Sequence, residues 1–553
     1  MKGVKETILK FVLQNFVRYG KAEIGPIVGK VIGEHPDMKS KTKELVKEIS
    51  EVVKEVNKMK KEEAEAKLKK LDPKLLEKKE EKEKVLDELK DAVKGKVVMR
   101  FAPSPSGALH IGHAYILLLS SEYCRKYNGK LILRIEDTNP ENINPQAYNL
   151  IPEEAKWVTK GNVAQVIIQS DRIENYYGVV EKLISKGHAY VCECDAEAFR
   201  ELSIKKEACP CRNLSVEDNH HRWDEMFTSY EPGEAVVRLK TDIEHKNPAL
   251  RDFPLARINH NEHPMQGTKF KVWPLMNLSV AVDDYDTGIT HTIRGKDHMD
   301  NERKQHYIFE YMGWKEPVHM YAGRINFKGL NLSASETAKM ISYKKYSGWD
   351  DIRLPFLSAL KRRGYTPEAF VTYALEVGLN ETDKSITAED FYKMLNHANK
   401  AIVENANRYF FIEKPKKIKI KEVKSMKVDV PLHVGHLKRG SRTFNTNDEF
   451  YIQDALKTGK NYRLMHLFNF KNKKFTSEAH NPDLEAQLIH WLPVSKDLIE
   501  VELVMPDGKV KKGLGELMLK HVKEGEVVQF ERVGFVRLDK KEKNKLIFWY
   551  AHR

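Results

Sequence analysis

Lys96-Val97-Val98-Met99-Arg100-Phe101-Ala102-Pro103-Ser104-Pro105-Ser106-Gly107-Ala108-Leu109-His110-Ile111-Gly112-His113 runs from a short apolar segment through a Pro/Ser/Gly loop into a second apolar segment. The first part reads as a strand. Behind the loop, Ile111, Ala114, Tyr115, Leu118 and Leu119 recur at three- and four-residue steps, the period of an amphipathic helix. Gly129 and then Leu131-Ile132-Leu133 supply a second strand. Strand, helix and strand in this order form a crossover unit, whose strands lie parallel in a doubly wound α/β sheet. The loop after the first strand is where such a sheet takes a nucleotide, because the helix start offers unpaired N–H groups and a positive dipole end.

His110 and His113 stand three apart, so both reach one side of the first helical turn. Gly107 permits a tight turn, and Gly112 leaves room for a flat base or ribose. Two imidazoles there can donate hydrogen bonds to a phosphoryl group that gains charge in a transition state. His433-Val434-Gly435-His436 repeats the spacing, but Leu437-Lys438-Arg439-Gly440 follows it and no Pro/Ser/Gly loop precedes it. The second motif receives no catalytic role.

The 553 residues correspond to about three to four domains at roughly 150 residues each. No apolar run approaches the ~18–20 residues that span a bilayer, and the start MKGVKETILKFVLQ has no signal-peptide pattern. These features exclude a membrane-spanning or secreted class and point to the cytoplasm. Lys and Arg exceed Asp and Glu by 94 to 80, a net +14. Such a field favours a polyanionic partner, although a Lys- and Glu-rich surface produces the same count.

The organisation reads outward from the quoted stretch. Residues 1–95 are helical: Ile8, Phe11, Val12 and Phe16 form one stripe ended by Gly20, and Leu45, Ile49, Val52, Val56 and Met59 form another. This domain is a candidate seat for a protein partner. Lys58 to Lys94 reads as a solvated helical linker or short coiled coil, with a nucleic-acid-touching arm as the sharper option. Residues 96–190 form the first half of a nucleotide-binding domain, 191–283 an insertion, 284–345 the second half and 346–402 a helical domain. Residues 403–553 carry β-rich runs, with Asp507-Gly508 as a hairpin turn, and read as one or two antiparallel barrels.

Four of the five cysteines cluster as Cys192-Glu193-Cys194 and Cys209-Pro210-Cys211. Two close thiolate pairs suit a closed, tetrahedral, structural Zn²⁺ site in a reducing compartment. Cys124 lies apart on the first helix and reads as a small core residue.

The quoted stretch, together with Leu133-Arg134-Ile135-Glu136-Asp137-Thr138-Asn139-Pro140, Gln169-Ser170-Asp171-Arg172 and Ile293-Arg294-Gly295-Lys296-Asp297-His298, resembles the glutamyl-tRNA synthetases among the class I aminoacyl-tRNA synthetases. The β-rich C-terminal end is similar to the archaeal and eukaryotic branch. The resemblance covers Lys96 onward. It implies a class I synthetase-like fold, ATP with Mg²⁺, L-glutamate and the tRNA for glutamate as substrates, and a zinc-bearing insertion that binds the acceptor stem. The tRNA for glutamine is a second candidate acceptor. Residues 346–402 would contact the stem, and 403–553 would read the anticodon through aromatics such as Phe468 and Phe470.

By the same resemblance, Pro103, Ser104, Gly107, His110, Gly112, His113, Ser333 and Ser335 bind ATP. Arg100 clamps a substrate carboxylate through two parallel hydrogen bonds. Glu136 holds the α-ammonium group, and Arg294 faces the side-chain carboxylate, where glutaminyl enzymes usually have a neutral residue. The KMSKS-type loop falls at Asn331-Leu332-Ser333-Ala334-Ser335, with Asn331 and Ala334 in place of both lysines. Lys339 in the following turn is the candidate substitute. Met276 stands where a pocket tyrosine is common. Two alternatives stay open here: a glutaminyl enzyme of the same architecture, and a non-catalytic RNA-binding protein, for which the missing lysines speak.

Overall fold

The computed structural model describes residues 2–75 and 86–553. The chain divides into two compact units, Met1–Lys84 and Val85–Arg553.

Among its described residues the first unit packs four α-helices: α1 (Lys2–Tyr19), α2 (Ile24–Glu34), α3 (Thr42–Val56) and α4 (Lys61–Leu71). Ile8, Val12, Leu13 and Phe16 meet Ile27, Val31, Leu45 and Ile49 in one apolar core. Gly20, at φ +74°, closes α1 with its N–H on Phe16 O at 2.7 Å. Two expectations change here. Val53, not Val52, is the buried valine of α3 beside Val56, and Met59 packs only at the edge. The stretch from Lys58 is no solvated linker at its start, because α4 buries Ala64 and Leu68 completely. Residues 76–85 of that reading lie outside the described residues. The boundary at 95 also moves: Leu89 is buried in the core of the second unit, and its N–H donates to Tyr127 Oη at 2.9 Å.

The second unit is built on parallel strands. β1 (Val98–Phe101), β2 (Lys130–Ile135) and β3 (Gln165–Ile168) pair in that order, and β8 (His291–Gly295) pairs with β9 (Val318–Ala322). Thr290 N–H donates to Val98 O at 2.9 Å and Val98 N–H to Thr290 Oγ1 at 2.9 Å, stitching the two groups into the order β9-β8-β1-β2-β3. Alternation divides the faces. Met99, Phe101, Leu131 and Leu133 pack against α5 (Ile111–Lys126), whereas Ile132 and Ile167 bury on the other side with Ile289, and Val98 packs half-buried against them. α5 buries Ala114, Tyr115, Leu117, Leu118 and Leu119, at roughly 1.5–3 kcal/mol for each large side chain. Cys124 is buried in that core, and burial pushes its thiol up to about 12.

α6 (Ala147–Val158) links β2 to β3, and α7 (Ile173–Ser185) leads to an antiparallel sheet, β4 (Ala189–Cys192), β5 (Val236–Leu239), β6 (Pro254–Ile258) and β7 (Val272–Pro274). This sheet carries α8 (Ala196–Lys205) and α9 (Val216–Thr228). α10 (Met276–Asp286) returns the chain to β8, and α11 (Met299–Met312) crosses to β9. Then come α12 (Ala334–Ser342), α13 (Leu357–Arg363), α14 (Pro367–Val377) and α15 (Ala388–Val403).

The C-terminal region holds two cores, one around Trp491 and one around Phe548. The sheet over the second is mixed rather than purely antiparallel: Ile499–Val504 runs parallel to Lys545–His552, and Arg408–Tyr409 runs parallel to Val527–Phe530. Its two outermost strands, Arg408–Tyr409 and Phe411–Glu413, follow each other in the chain, so its edges meet through Phe410. The turn at Asp507-Gly508 forms as read, with Val504 opposite Val510 and Gly508 at φ +82°. Phe468 and Phe470 are 0% and 1% exposed, so they build the core and present no stacking surface. Among the described residues, no helix is long and apolar enough to cross a membrane.

Candidate active site

Three strand ends meet over one buried carboxylate. Arg100 alternates with Met99 and Phe101 on β1, so it points away from α5 towards α10. There its Nε lies 3.2 Å from Asp284 Oδ1. Arg134 of β2 puts Nη1 2.6 Å from the same oxygen and Nη2 3.0 Å from Glu136 Oε1. Arg294 of β8 reaches Asp284 Oδ2 at 3.5 Å.

Burial alone would raise the Asp284 carboxyl, yet Arg100, Arg134 and Arg294 hold it well below the usual carboxylate range. Burial, and next the charge of Arg100, push the Arg294 guanidinium down to about 10. Its Nε is buried and makes no hydrogen bond among the described residues. Arg134 Nε also lies 3.8 Å from Asp283 Oδ2. The charged groups that line the open space are two guanidiniums, Arg100 and Arg294, against one carboxylate, Glu136, a positive excess that favours an anionic guest. A cavity of about 150 Å³ opens here, lined among others by Arg100, Glu136, Met276, Arg294, Asn301 and Gln305. The structure thus brings together Arg100, Glu136 and Arg294, and places Met276 on the same wall.

The His-x-Gly-His turn stands at the neighbouring helix start. His110 caps α5, its Nδ1 accepting from Gly112 N–H at 3.1 Å and His113 N–H at 3.3 Å, while His113 Nδ1 accepts from His110 N–H at 3.4 Å. With each Nδ1 accepting, the proton sits on Nε2, which remains a donor. The rings stack, centroids 3.7 Å apart at 14°. Burial pushes His110 down to about 4 and, with the His110 charge adding, holds His113 well below the ordinary imidazole value. Both are neutral donors at physiological pH.

At Gly112 a Cβ would sit 3.0 Å from His110 Cε1, so the glycine makes room for the folded-back imidazole. Gly107 is needed because the Trp349 indole lies over it, Cη2 being 2.3 Å from where a Cβ would stand. Pro103 O accepts Glu136 N–H at 3.0 Å, which ties the loop to the end of β2, and Ser104 is exposed at the loop surface.

Ser333 caps α12, its Oγ accepting Glu336 N–H at 3.3 Å and lying 3.3 Å from Ser335 Oγ. Leu332 lies 3.9 Å from the Cβ position of Gly112, so this loop borders the histidine turn. Lys339 sits on the exposed face of α12, one turn beyond Ser335.

Sequence reasoning missed four contributors. Asp284 anchors the arginines; the only signal was an Asp283-Asp284 pair inside an apolar helix. Arg134 shares a strand face with Glu136, which alternation alone could have indicated. Glu154 accepts from Leu109 N–H at 2.6 Å and from Ser358 N–H at 3.0 Å, holding the segment before His110 against α13; burial pushes it up to about 7. Trp349 had no signal at all.

The four cysteines converge in the insertion, away from the arginine pocket. Cys192 and Cys209 Sγ are 3.9 Å apart, Cys194 and Cys211 Sγ 3.8 Å, and all four lie within 4.8 Å of one another. A tetrahedron of Zn–S bonds of about 2.3 Å has edges of about 3.8 Å. The donor set and its spacing fit zinc.

Residues 96–401 match the family described as tRNA synthetases class I (E and Q), catalytic domain; residues 406–489 and 488–539 match its two anti-codon binding domains. Over 563 aligned residues and the whole of both chains, the sequence is 44% identical to a glutamate–tRNA ligase of Methanococcus maripaludis and 43% to one of Methanocaldococcus jannaschii. It is 41% identical over 579 residues, again the whole of both chains, to one of Pyrococcus furiosus. With its parallel sheet, its capped histidine turn and its arginine pocket, the chain belongs to the class I tRNA synthetases of the E and Q type.

Proposed function

We propose that this chain ligates L-glutamate to the tRNA for glutamate in two ATP-dependent steps. One observation carries the choice of amino acid: the pocket is lined by two guanidiniums, Arg100 and Arg294, against one carboxylate, Glu136. That residual positive charge suits glutamate, whose net charge is −1, and would stay unpaired with glutamine. The names of the full-length relatives support the same reading.

In the first step a glutamate α-carboxylate oxygen attacks the ATP α-phosphorus, the bond to the bridging oxygen breaks, and pyrophosphate leaves. Arg100 and Arg294 hold the two carboxylates and Glu136 the ammonium group. The loop at Pro103, Ser104 and Gly107 lies along the nucleotide. His110 and His113 donate Nε2–H to phosphate oxygens that gain charge. Ser333 and Ser335 offer hydroxyls and the start of α12 to the same phosphates. Lys339 is the lysine we assign to the departing pyrophosphate. Mg²⁺ arriving with ATP would supply neutralisation of the phosphate charge. In the second step a terminal ribose hydroxyl of the tRNA attacks the glutamyl carbonyl and AMP leaves. No protein nucleophile is required, since positioning and electrostatics lower the barrier.

Residues 191–283 form the acceptor-stem insertion, with structural Zn²⁺ on Cys192, Cys194, Cys209 and Cys211, and 346–402 the stem contact. At the anticodon end, a cleft of about 670 Å³ lined by Lys419, Lys421, Lys471, Lys473, Lys474 and Phe475 suits a phosphate backbone. A reducing cytoplasm fits free thiols held for metal.

Arg294→Cys tests the pocket. A hydrogen bond to a charged group contributes about 1.5–3 kcal/mol, so kcat/KM for glutamate should fall about 10- to 100-fold while KM for ATP holds. Unchanged glutamate kinetics would refute the assignment. Charging assays with both purified tRNAs decide whether the tRNA for glutamine is a second acceptor.

A further inference from the structure

A second cluster of metal-ligating side chains lies outside the insertion, between α11 and β9. Glu302 and His306 stand one turn apart on α11, Glu316 lies in the connection, and His319 is on β9. Ligand atoms of Glu302, Glu316 and His319 all lie within 4.8 Å of one another. His306 Nδ1 is 2.8 Å from Glu316 Oε2.

The imidazole of His319 is the telling group. Its side chain is 4% exposed. Its Nδ1 is 2.7 Å from Thr292 Oγ1, while its Nε2 is buried and makes no hydrogen bond among the described residues. Glu316 Oε1 stands 3.4 Å from that nitrogen, an ion-pair distance if the ring is protonated, but outside hydrogen-bond geometry. An unsatisfied buried polar atom costs about 1–3 kcal/mol. A cation between this nitrogen and the carboxylates would satisfy all three groups. Nδ1–H would then donate to the Thr292 hydroxyl, as the second nitrogen of a metal-bound histidine usually donates to an oxygen.

We propose that Glu302, Glu316 and His319, with His306 beside them, bind one divalent cation of the zinc class. The mixed imidazole and carboxylate set favours Zn²⁺ or a late first-row ion over the all-oxygen preference of Mg²⁺ and Ca²⁺. Zn–N and Zn–O bonds of about 2.0–2.1 Å place tetrahedral ligands about 3.4 Å apart, so the three groups need only draw in slightly.

The site would brace the amino-acid pocket rather than take part in chemistry. Asn301 and Gln305 of α11 line that pocket, one position ahead of Glu302 and His306. Thr292 shares a strand face with Arg294 on β8, so the cation would fix α11 to the strand that carries the guanidinium. The proposal does not depend on which amino acid is ligated.

Co²⁺ titration of the metal-stripped full-length protein tests it, because thiolate ligation adds charge-transfer bands that nitrogen and oxygen ligands lack. The unmodified chain should take up two equivalents, one with thiolate bands and one with visible ligand-field bands alone. Glu316→Gln and His319→Gln should each lose the second equivalent and keep the first. Glu302→Gln, on α11, gives the same readout if those two variants misfold. A single, thiolate-type equivalent in the unmodified chain would overturn the proposal. So would two equivalents retained in Glu316→Gln, or in Glu302→Gln where the former does not fold.

Discussion

His110-Ile111-Gly112-His113 and His433-Val434-Gly435-His436 share their spacing and much of their local shape. In both, the first imidazole folds back so that Nδ1 accepts the glycine N–H at 3.1 Å. In both, a Cβ on the glycine would crowd that ring, at 3.0 Å from Cε1 in one and 3.3 Å in the other. Local sterics produce the same turn twice. What surrounds the turn differs. The first opens the sixteen-residue α5, stacks its rings at 14° and leaves both Nε2–H groups as donors beside the arginine pocket. The second is followed by three residues of 3-10 helix and tilts its rings by 41°. It also uses its outer nitrogens internally: His433 Nε2 lies 3.1 Å from Glu404 O, and His436 Nε2 lies 2.6 Å from Asn405 Oδ1. One turn offers hydrogen bonds to a ligand, and the other uses them to join α15 to the C-terminal region.

The largest expected effect breaks the pair apart. His110→Ala with His113→Ala should lower glutamate- and tRNA-dependent pyrophosphate exchange by at least about 10³-fold, given about 10²–10³ for one lost transition-state donor. His433→Ala with His436→Ala should lower thermal stability and leave exchange per folded molecule intact. Equal exchange in the two double variants would erase the distinction.

Next comes pH. Burial holds His110 at about 4, so between the ordinary value near 6.5 and that point the unfolded chain binds a proton that the folded chain refuses. Stability should therefore be complete above about pH 6.5 and decline as pH falls towards about 4. The His110 share reaches about 3 kcal/mol at 1.36 kcal/mol per unit. Urea unfolding at about pH 4.5 and about pH 7 should show a shallower loss in His110→Gln; an unchanged loss would mean that this ring is not desolvated.

The smallest contrast is between the glycines. Gly112→Ala should push His110 off its rotamer, at about 0.5–1.5 kcal/mol, and cost about tenfold in kcat. Gly435→Ala should cost under about 1 kcal/mol of stability and nothing in turnover. A turnover loss of the same size in both would show that the turn, and not its setting, carries the chemistry.

Reading the chain alone went far where chemistry depends on local pattern. The run from Val97 to His113 predicts strand, loop and helix because apolar period and turn residues act over a few positions. Arg100, Glu136 and Arg294 were legible as strand-end groups, and the two close thiol pairs as one cluster of metal-ligating type. The reading failed where partners come from far along the chain. Phe468 and Phe470 are as apolar as any base platform would be, and only the packed barrel shows that they face inward. Val52 and Val53 both fit a helical stripe, and the neighbouring helices decide which is buried. Glu154, Trp349 and Asp284 carry no motif, yet they hold the loop, cover Gly107 and gather the arginines.

The amino-acid sequence by itself determined which elements form and which residues can bind phosphate, carboxylate or metal, since propensity, periodicity and donor type belong to short segments. Tertiary structure alone decided the net charge of the pocket, the neutral state of the stacked histidines and the unbonded nitrogen of His319. Each of these depends on desolvation and on charges brought from more than one element, and both exist only once the chain has closed around them.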